Sequence, residues 1–183
     1  GLIAVQLASL NGAEIFATTS SKQKAAYLKD LGIRHVINYQ KQDFAEEVLR
    51  LTGDYGVDAV FNTLSGDAIQ KGIDILAPGG RYVEIAMTGL KTSTGINLSN
   101  MTENQSFYGI DLRKWMLRHP DNLKKYLDIM KDFLSKETIK PIIGKTFMFD
   151  DFRSAYRHME NRQNIGKIVV SIPRTKRFDD ESG

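Results

Sequence analysis

Cysteine is absent from the 183 residues, which excludes disulfides and thiolate zinc sites. Histidine is scarce: His35, His119 and His158 stand far apart, without the spacing of a metal site. No apolar run approaches the roughly 18 residues of a membrane-spanning helix. There is no internal repeat and no low-complexity segment. Charge is close to balanced, at a formal +3, and the excess owes much to Arg174, Lys176 and Arg177 near the end. That is too weak a basic character to argue for nucleic acid. The expected protein therefore has no metal, no nucleic-acid partner and no membrane span.

What is present is ordinary for a soluble globular chain: 42% hydrophobic and 26% charged residues. The length suits one good core, or a domain with a short appendage. The most informative stretch is residues 53–86. Residues 57–61 (VDAVF) read as a strand ending in the small polar cluster Asn62-Thr63-Leu64-Ser65-Gly66. Residues 67–76 place Ala68, Ile69, Ile73 and Leu76 at helical spacing, and Pro78-Gly79-Gly80 reads as the stop. Residues 81–86 (RYVEIA) read as a second strand. Strand, helix and strand make a parallel, buried βαβ unit, and ligands of such sheets sit at the carboxyl ends of the strands. Asn62-Thr63-Leu64 and Ile85-Ala86-Met87 fall there.

The flanks continue the alternation. Residues 1–11 are helical without an N-cap before them, 13–18 a strand, 22–31 a helix, 35–39 a strand and 43–51 a helix with Asp43 as N-cap. Residues 87–104 are small and polar without a period, and read as a long functional loop. A strand at 106–111 precedes a helix from 112, broken at His119-Pro120, and an amphipathic helix at 121–135. Residues 139–149 are extended, 150–159 helical, and 166–172 a last strand; 174–183 read as a linker or frayed end. Such alternation means a doubly wound, Rossmann-type α/β sheet, mostly parallel, here lacking its first strand and most of its glycine turn.

Six stretches carry a resemblance: residues 1–8 (GLIAVQLA), 12–18 (GAEIFAT), 24–28 (KAAYL), 56–66 (GVDAVFNTLSG), 76–85 (LAPGGRYVEI) and 165–170 (IGKIVV). On them the chain resembles the zinc-free medium-chain dehydrogenase/reductase superfamily. It is most similar to the enoyl reductase domain of modular polyketide synthases and animal-type fatty acid synthases. The resemblance implies a division into residues 1–150 as an N-terminally truncated dinucleotide-binding domain and 151–173 as a helix and strand returning toward a separate substrate domain, with 174–183 as the tail. It implies an NADPH-dependent reduction of the C=C bond of an enoyl thioester carried on an acyl carrier protein. The partners implied are that carrier and neighbouring synthase domains, in a cytoplasmic, multidomain parent. A dimer edge at residues 106–111 is also implied. Alternatives are a free-standing quinone or alkenal reductase of the same superfamily, and a nucleotide-binding module without catalysis. The fragment alone is expected to be inactive and to bind NADPH weakly.

The same resemblance assigns residues. Gly1 stands for the last glycine of the phosphate loop. Ser20, Lys24 and Tyr39 stand beside the 2′-phosphate. A cation and hydroxyls suit that dianion, and no acid follows the strand at 13–18 to grip a free 2′-hydroxyl. Asn62, Thr63 and Leu64 line the middle of the cofactor, Ile85 and Ala86 the nicotinamide side, and Lys167 lies near the cofactor. The family's acid/base residues are an aspartate, matched by Asp111, and a lysine, whose position holds Met87. Methionine cannot donate a proton, so Lys91 is the candidate substitute, with Tyr108 and water behind it. Plainer readings stand beside these: Lys24 a solvated helix residue, Thr63 or Ser65 an N-cap, Lys167 an edge-strand lysine, and Asp111 the N-cap of the helix from Leu112. Trp115, with Leu112 and Met116, reads as a packing stripe.

Overall fold

A computed structural model describes residues 1–92 and 95–173; the segment expected to be a linker, 174–183, lies outside them. Internal contacts divide the chain into two units, Ile15–Ile129, and Gly1–Glu14 with Met130–Gly183.

The larger unit alternates strand and helix. Strand β1 (Phe16–Thr18) leads through helix α2 (Lys22–Asp30) to β2 (His35–Ile37), which pairs parallel with β1. Helix α3 (Phe44–Thr52) is bounded as its sequence dictates. The Asp43 carboxylate accepts from the amides of Ala45 and Glu46, and Gly53 closes the helix at a φ of 61°, a conformation a Cβ disfavours. Strand β3 (Val57–Asn62), helix α4 (Asp67–Asp74) and strand β4 (Leu76–Glu84) form the expected βαβ unit, and β5 (Ser106–Gly109) adds parallel to β4. Among the described residues no ladder joins β1 to β3, so the strands form a pair and a triplet.

Two apolar clusters hold these elements. Ile69 and Ile73 of α4 meet Leu76 and Tyr82, with Val60 and Phe107 against them. Ile37, Val48 and Ile75 meet Phe16, Phe44 and Val57, tying the β1–β2 pair and α3 to β3. The spacing of Ile69 and Ile73 is the helical one, and each such burial stabilises by about 1.5–3 kcal/mol. Gly72 lets the Tyr82 ring lie flat on α4: a Cβ there would stand 2.7 Å from a ring carbon. On its other side Tyr82 stacks on Phe107, with centroids 5.1 Å apart.

Two elements differ from expectation. Helix α4 ends at Asp74, and β4 begins at Leu76, before the Pro78-Gly79-Gly80 stop. The ladder absorbs those residues as an irregularity, with Val57 opposite Leu76 but Ala59 opposite Arg81. Met87–Thr92, read as the start of a loop, is a helix, α5. Beyond β5, α6 (Leu112–Arg118) is followed at once by α7 (Pro120–Ser135), whose proline occupies the first helical position.

The smaller unit contains α1 (Leu2–Leu10), parallel strands β6 (Ile143–Met148) and β7 (Lys167–Ser171), and α8 (Phe152–Glu160). Gln6 and Lys140 exchange two hydrogen bonds between the Gln6 amide and the Lys140 backbone, at 2.9 and 2.8 Å. Ile139, Phe147 and Ala155 are its buried apolar residues.

Candidate functional site

Parallel strands put the carboxyl ends of β3, β4 and β5 side by side. Residues expected to act in cofactor binding and catalysis emerge from all three. Asn62 closes β3, and its side chain folds back on its own loop, accepting from the Leu64 amide at 3.0 Å and donating to the Leu64 carbonyl at 2.7 Å. Thr63 is exposed and Leu64 half-buried. The Ile85 amide donates to the Asn62 carbonyl at 3.3 Å, so the ends of β3 and β4 are bonded at the site itself. Ala86 then opens α5: its carbonyl accepts from the Leu90 amide.

Lys91 and Asp111 are brought together. The Lys91 ammonium lies 3.7 Å from the Asp111 carboxylate. Asp111 is also the N-cap of α6, its Oδ1 accepting from the Lys114 amide at 3.0 Å, as its plainer reading anticipates. The Lys114 amide is the main cause that holds the Asp111 carboxyl below the usual carboxylate range; desolvation opposes it, and the cations Lys91, Lys114 and Arg113 add to the lowering. Asp111 thus faces the Lys91 ammonium as a carboxylate that also caps α6. Met87 begins α5 and Lys91 follows one turn later on the same face. Tyr108 is half exposed on β5, at register with Val83. Trp115 packs on Tyr126 with ring centroids 5.4 Å apart.

A second cluster forms at the ends of β1 and β2. The Tyr39 hydroxyl donates to Ser20 Oγ at 3.2 Å. Ser21 caps α2 by accepting from the Lys24 amide, which places Lys24 in the first turn of that helix. Between the two clusters lies a hollow of about 200 Å³, walled by Tyr39, Phe44, Leu64, Ala68 and Lys71 among others. Lys71 is ion-paired to Asp43, which holds α4 to the start of α3 along that wall. Gly1, the N-cap of α1, and Lys167, which opens β7 and donates its amide to the Ile142 carbonyl at 2.7 Å, belong to the smaller unit. Among the described residues, no group of three or more His, Asp or Glu side chains is placed to hold a metal ion.

The site contains residues that sequence reasoning did not single out. Glu84 is fully buried at the end of β4. Gly89 of α5 packs on Ser65. A lone acid in the strand RYVEIA was the available signal for the first; nothing in the sequence marks the second.

A nucleotide fold with these strand ends has a family. The zinc-binding dehydrogenase family matches residues 1–132. The chain belongs to that family. Within it the similarity lies with polyketide synthase enoyl reductases. The nucleotide-binding subdomain of the enoylreductase domain of PpsC from Mycobacterium tuberculosis is 35% identical, with a TM-score of 0.68 over 76% of this chain and 78% of that one. The CurF ER cyclopropanase of the curacin A biosynthetic pathway is 38% identical, with a TM-score of 0.82 over 94% of this chain and 51% of that one. A phenolphthiocerol/phthiocerol polyketide synthase polypeptide of Mycobacterium tuberculosis is 35% identical over 173 residues, 94% of this chain. The chain spans only 8% of that polypeptide. Oxidoreductase ancestry, the Rossmann-type nucleotide-binding fold and a likeness to domains of large synthases are thereby established.

Proposed function

We propose that the chain is the cofactor-binding part of an NADPH-dependent enoyl reductase domain in a polyketide or fatty acid synthase. The observation that carries the reading is the Lys91–Asp111 pair at the strand ends, 3.7 Å apart, on elements next to the residues assigned to the nicotinamide side. Reduction of an enoyl thioester needs hydride at the β-carbon and a proton at the α-carbon. The hydride is the chemistry that bound NADPH supplies. The proton comes from the Lys91 ammonium, which faces the Asp111 carboxylate, so that Lys91 takes the part of the lysine absent at Met87. Ser20, Tyr39 and Lys24 fit a 2′-phosphate: two hydroxyls 3.2 Å apart and a cation at a helix start are complementary to a dianion. Asn62, Thr63 and Leu64 line the middle of the cofactor, and Ile85 and Ala86 its nicotinamide side.

The substrate in this reading is an enoyl chain on an acyl carrier protein, within a cytoplasmic synthase whose neighbouring domains feed and receive that chain. Residues 151–173 lead back to a substrate domain, and β5, the edge of its ladder, is the dimer edge. The test is NADPH oxidation by the full-length parent with a crotonyl thioester. Turnover that falls on Lys91→Ala supports the assignment. Tight NADPH binding without turnover makes the chain a non-catalytic nucleotide module, and a preference for quinones makes the parent a free-standing type of reductase.

A further inference from the structure

Glu84 is the last residue of β4 and has no exposed surface. A carboxylate out of water costs several kcal/mol unless it is well bonded, and an apolar side chain would fill the space more cheaply. What Glu84 gains in return is position. Its Oε2 accepts from the Asn62 amide nitrogen at 2.7 Å and from the Tyr82 hydroxyl at 3.1 Å. Its Oε1 accepts from the Ala86 backbone amide at 2.7 Å. Its own backbone carbonyl accepts from the Ile110 amide at 2.8 Å. Three strand ends therefore meet on one residue: Asn62 from β3, Ala86 after β4 and Ile110 after β5.

The two outer bonds lead to the proposed proton pair. Ala86 is the residue from which α5 starts, and α5 carries Lys91. Ile110 directly precedes Asp111. Glu84 thus bonds to the base of each element holding one partner of the Lys91–Asp111 pair. All three side-chain partners are donors, and only a carboxylate can accept from all of them. A glutamine would turn its NH₂ against the Ala86 amide or against the Asn62 and Tyr82 donors. Burial, and behind it the Glu84 charge, pushes the Tyr82 hydroxyl far up, which keeps it a donor to Glu84.

We propose that Glu84 is a positioning residue: its carboxylate ties the start of α5 to the end of β3, next to the β5 end that its main-chain carbonyl holds, and so fixes where Lys91 stands relative to Asp111. The inference rests on the reading of Lys91 and Asp111 as the proton-handling pair. A displacement of about 1 Å in such a pair is enough to lower turnover up to a hundredfold.

The experiment uses Glu84→Gln in the full-length parent, with two readouts. Hydrogen exchange without substrate is expected to quicken in peptides containing Ala86, and to stay unchanged in α3 and β2. Crotonyl thioester turnover is expected to fall by at least about tenfold. In an Asp111→Asn background the same substitution is expected to cause no further loss, because both act on one pair. Unchanged exchange at Ala86, faster exchange throughout the unit, or losses that multiply in the double variant would overturn the proposal. If Glu84→Gln does not fold, Glu84→Asp serves, since it keeps the charge but stands one methylene short of its donors. Wild-type parent that binds NADPH yet reduces no enoyl thioester overturns the functional reading, and the assignment to a proton pair with it. Wild-type turnover with any of the contrary results above sinks the role of Glu84 alone.

Discussion

Gly89 of α5 lies so close to Ser65 that a Cβ on it would stand 2.6 Å from the Ser65 Cβ and 3.1 Å from its Cα. The helix is seated against the loop that follows β3, and a backbone-attached atom cannot step aside as the tip of a long side chain would. Gly89→Ala is therefore expected to push α5, and Lys91 with it, away from the strand ends. Turnover of an enoyl thioester should fall by about tenfold or more while NADPH affinity changes little. Steady-state kinetics beside a cofactor titration check this; equal losses in both would place the damage elsewhere.

Asp111 has two tasks that substitution separates. Asparagine caps a helix about as well as aspartate, so Asp111→Asn is expected to leave the melting temperature nearly unchanged. It removes the charge facing Lys91, so turnover drops. Asp111→Ala loses the cap as well, at about 1 kcal/mol. If Asp111→Asn proves as active as wild type, Asp111 is a helix cap and nothing more.

Lys24→Ala tests the adenosine end. A charge-assisted hydrogen bond to phosphate contributes about 1.5–3 kcal/mol, so NADPH should bind roughly 10- to 150-fold more weakly. NADH, which has no 2′-phosphate, should be unaffected. Calorimetric titration of both cofactors into the full-length parent measures the difference, and equal loss for the two would remove Lys24 from the phosphate site.

Asp43 carries a pH-dependent share of stability. Its bond to Lys71 comes first among the effects that lower its pKa, followed by the amides of Ala45 and Glu46, with burial opposing them. Because the folded value lies below the unfolded one, the contribution is complete above the ordinary carboxylate range and is lost as pH falls through about 4 and below. Asp43→Ala should cost about 1–2 kcal/mol at pH 7 through the lost cap and pair. The gap from wild type should narrow progressively as the pH falls below about 4. Urea denaturation at neutral pH and through a series of acid pH values reads it directly, and a gap that stays constant in acid would contradict the assignment.

The alternation of strand and helix was legible because each element of the larger unit has its own periodicity and punctuation. Asp43 and Gly53 bound α3, and Ile69 and Ile73 face inward as their spacing says. Helix α5 was not legible. Its six residues, MTGLKT, have no apolar period, and it is held by the Ala86 anchor and the Gly89 contact. The start of β4 was missed because a ladder irregularity takes in the Pro-Gly-Gly stretch that normally stops a chain. In the site, Ser20 and Tyr39 were named together and are bonded. Lys91 and Asp111 are the two acid/base candidates that the resemblance supplies, and their proximity comes from parallel pairing that no local pattern encodes. Glu84 looked like one acid in a strand, and its meaning lies in donors 2 and 22 residues away.

That Met87–Thr92 is helical changes what a substitution history along this chain can mean. On a helix, positions four apart are neighbours in space, so a charged group lost from one turn can be restored from the next while the sheet beneath stays still. Two relatives can then keep the same chemistry at the same spot with different alignment columns supplying it. Scored column by column, Met87 reads as a lost function; under the role proposed for Lys91, the function has moved by one turn.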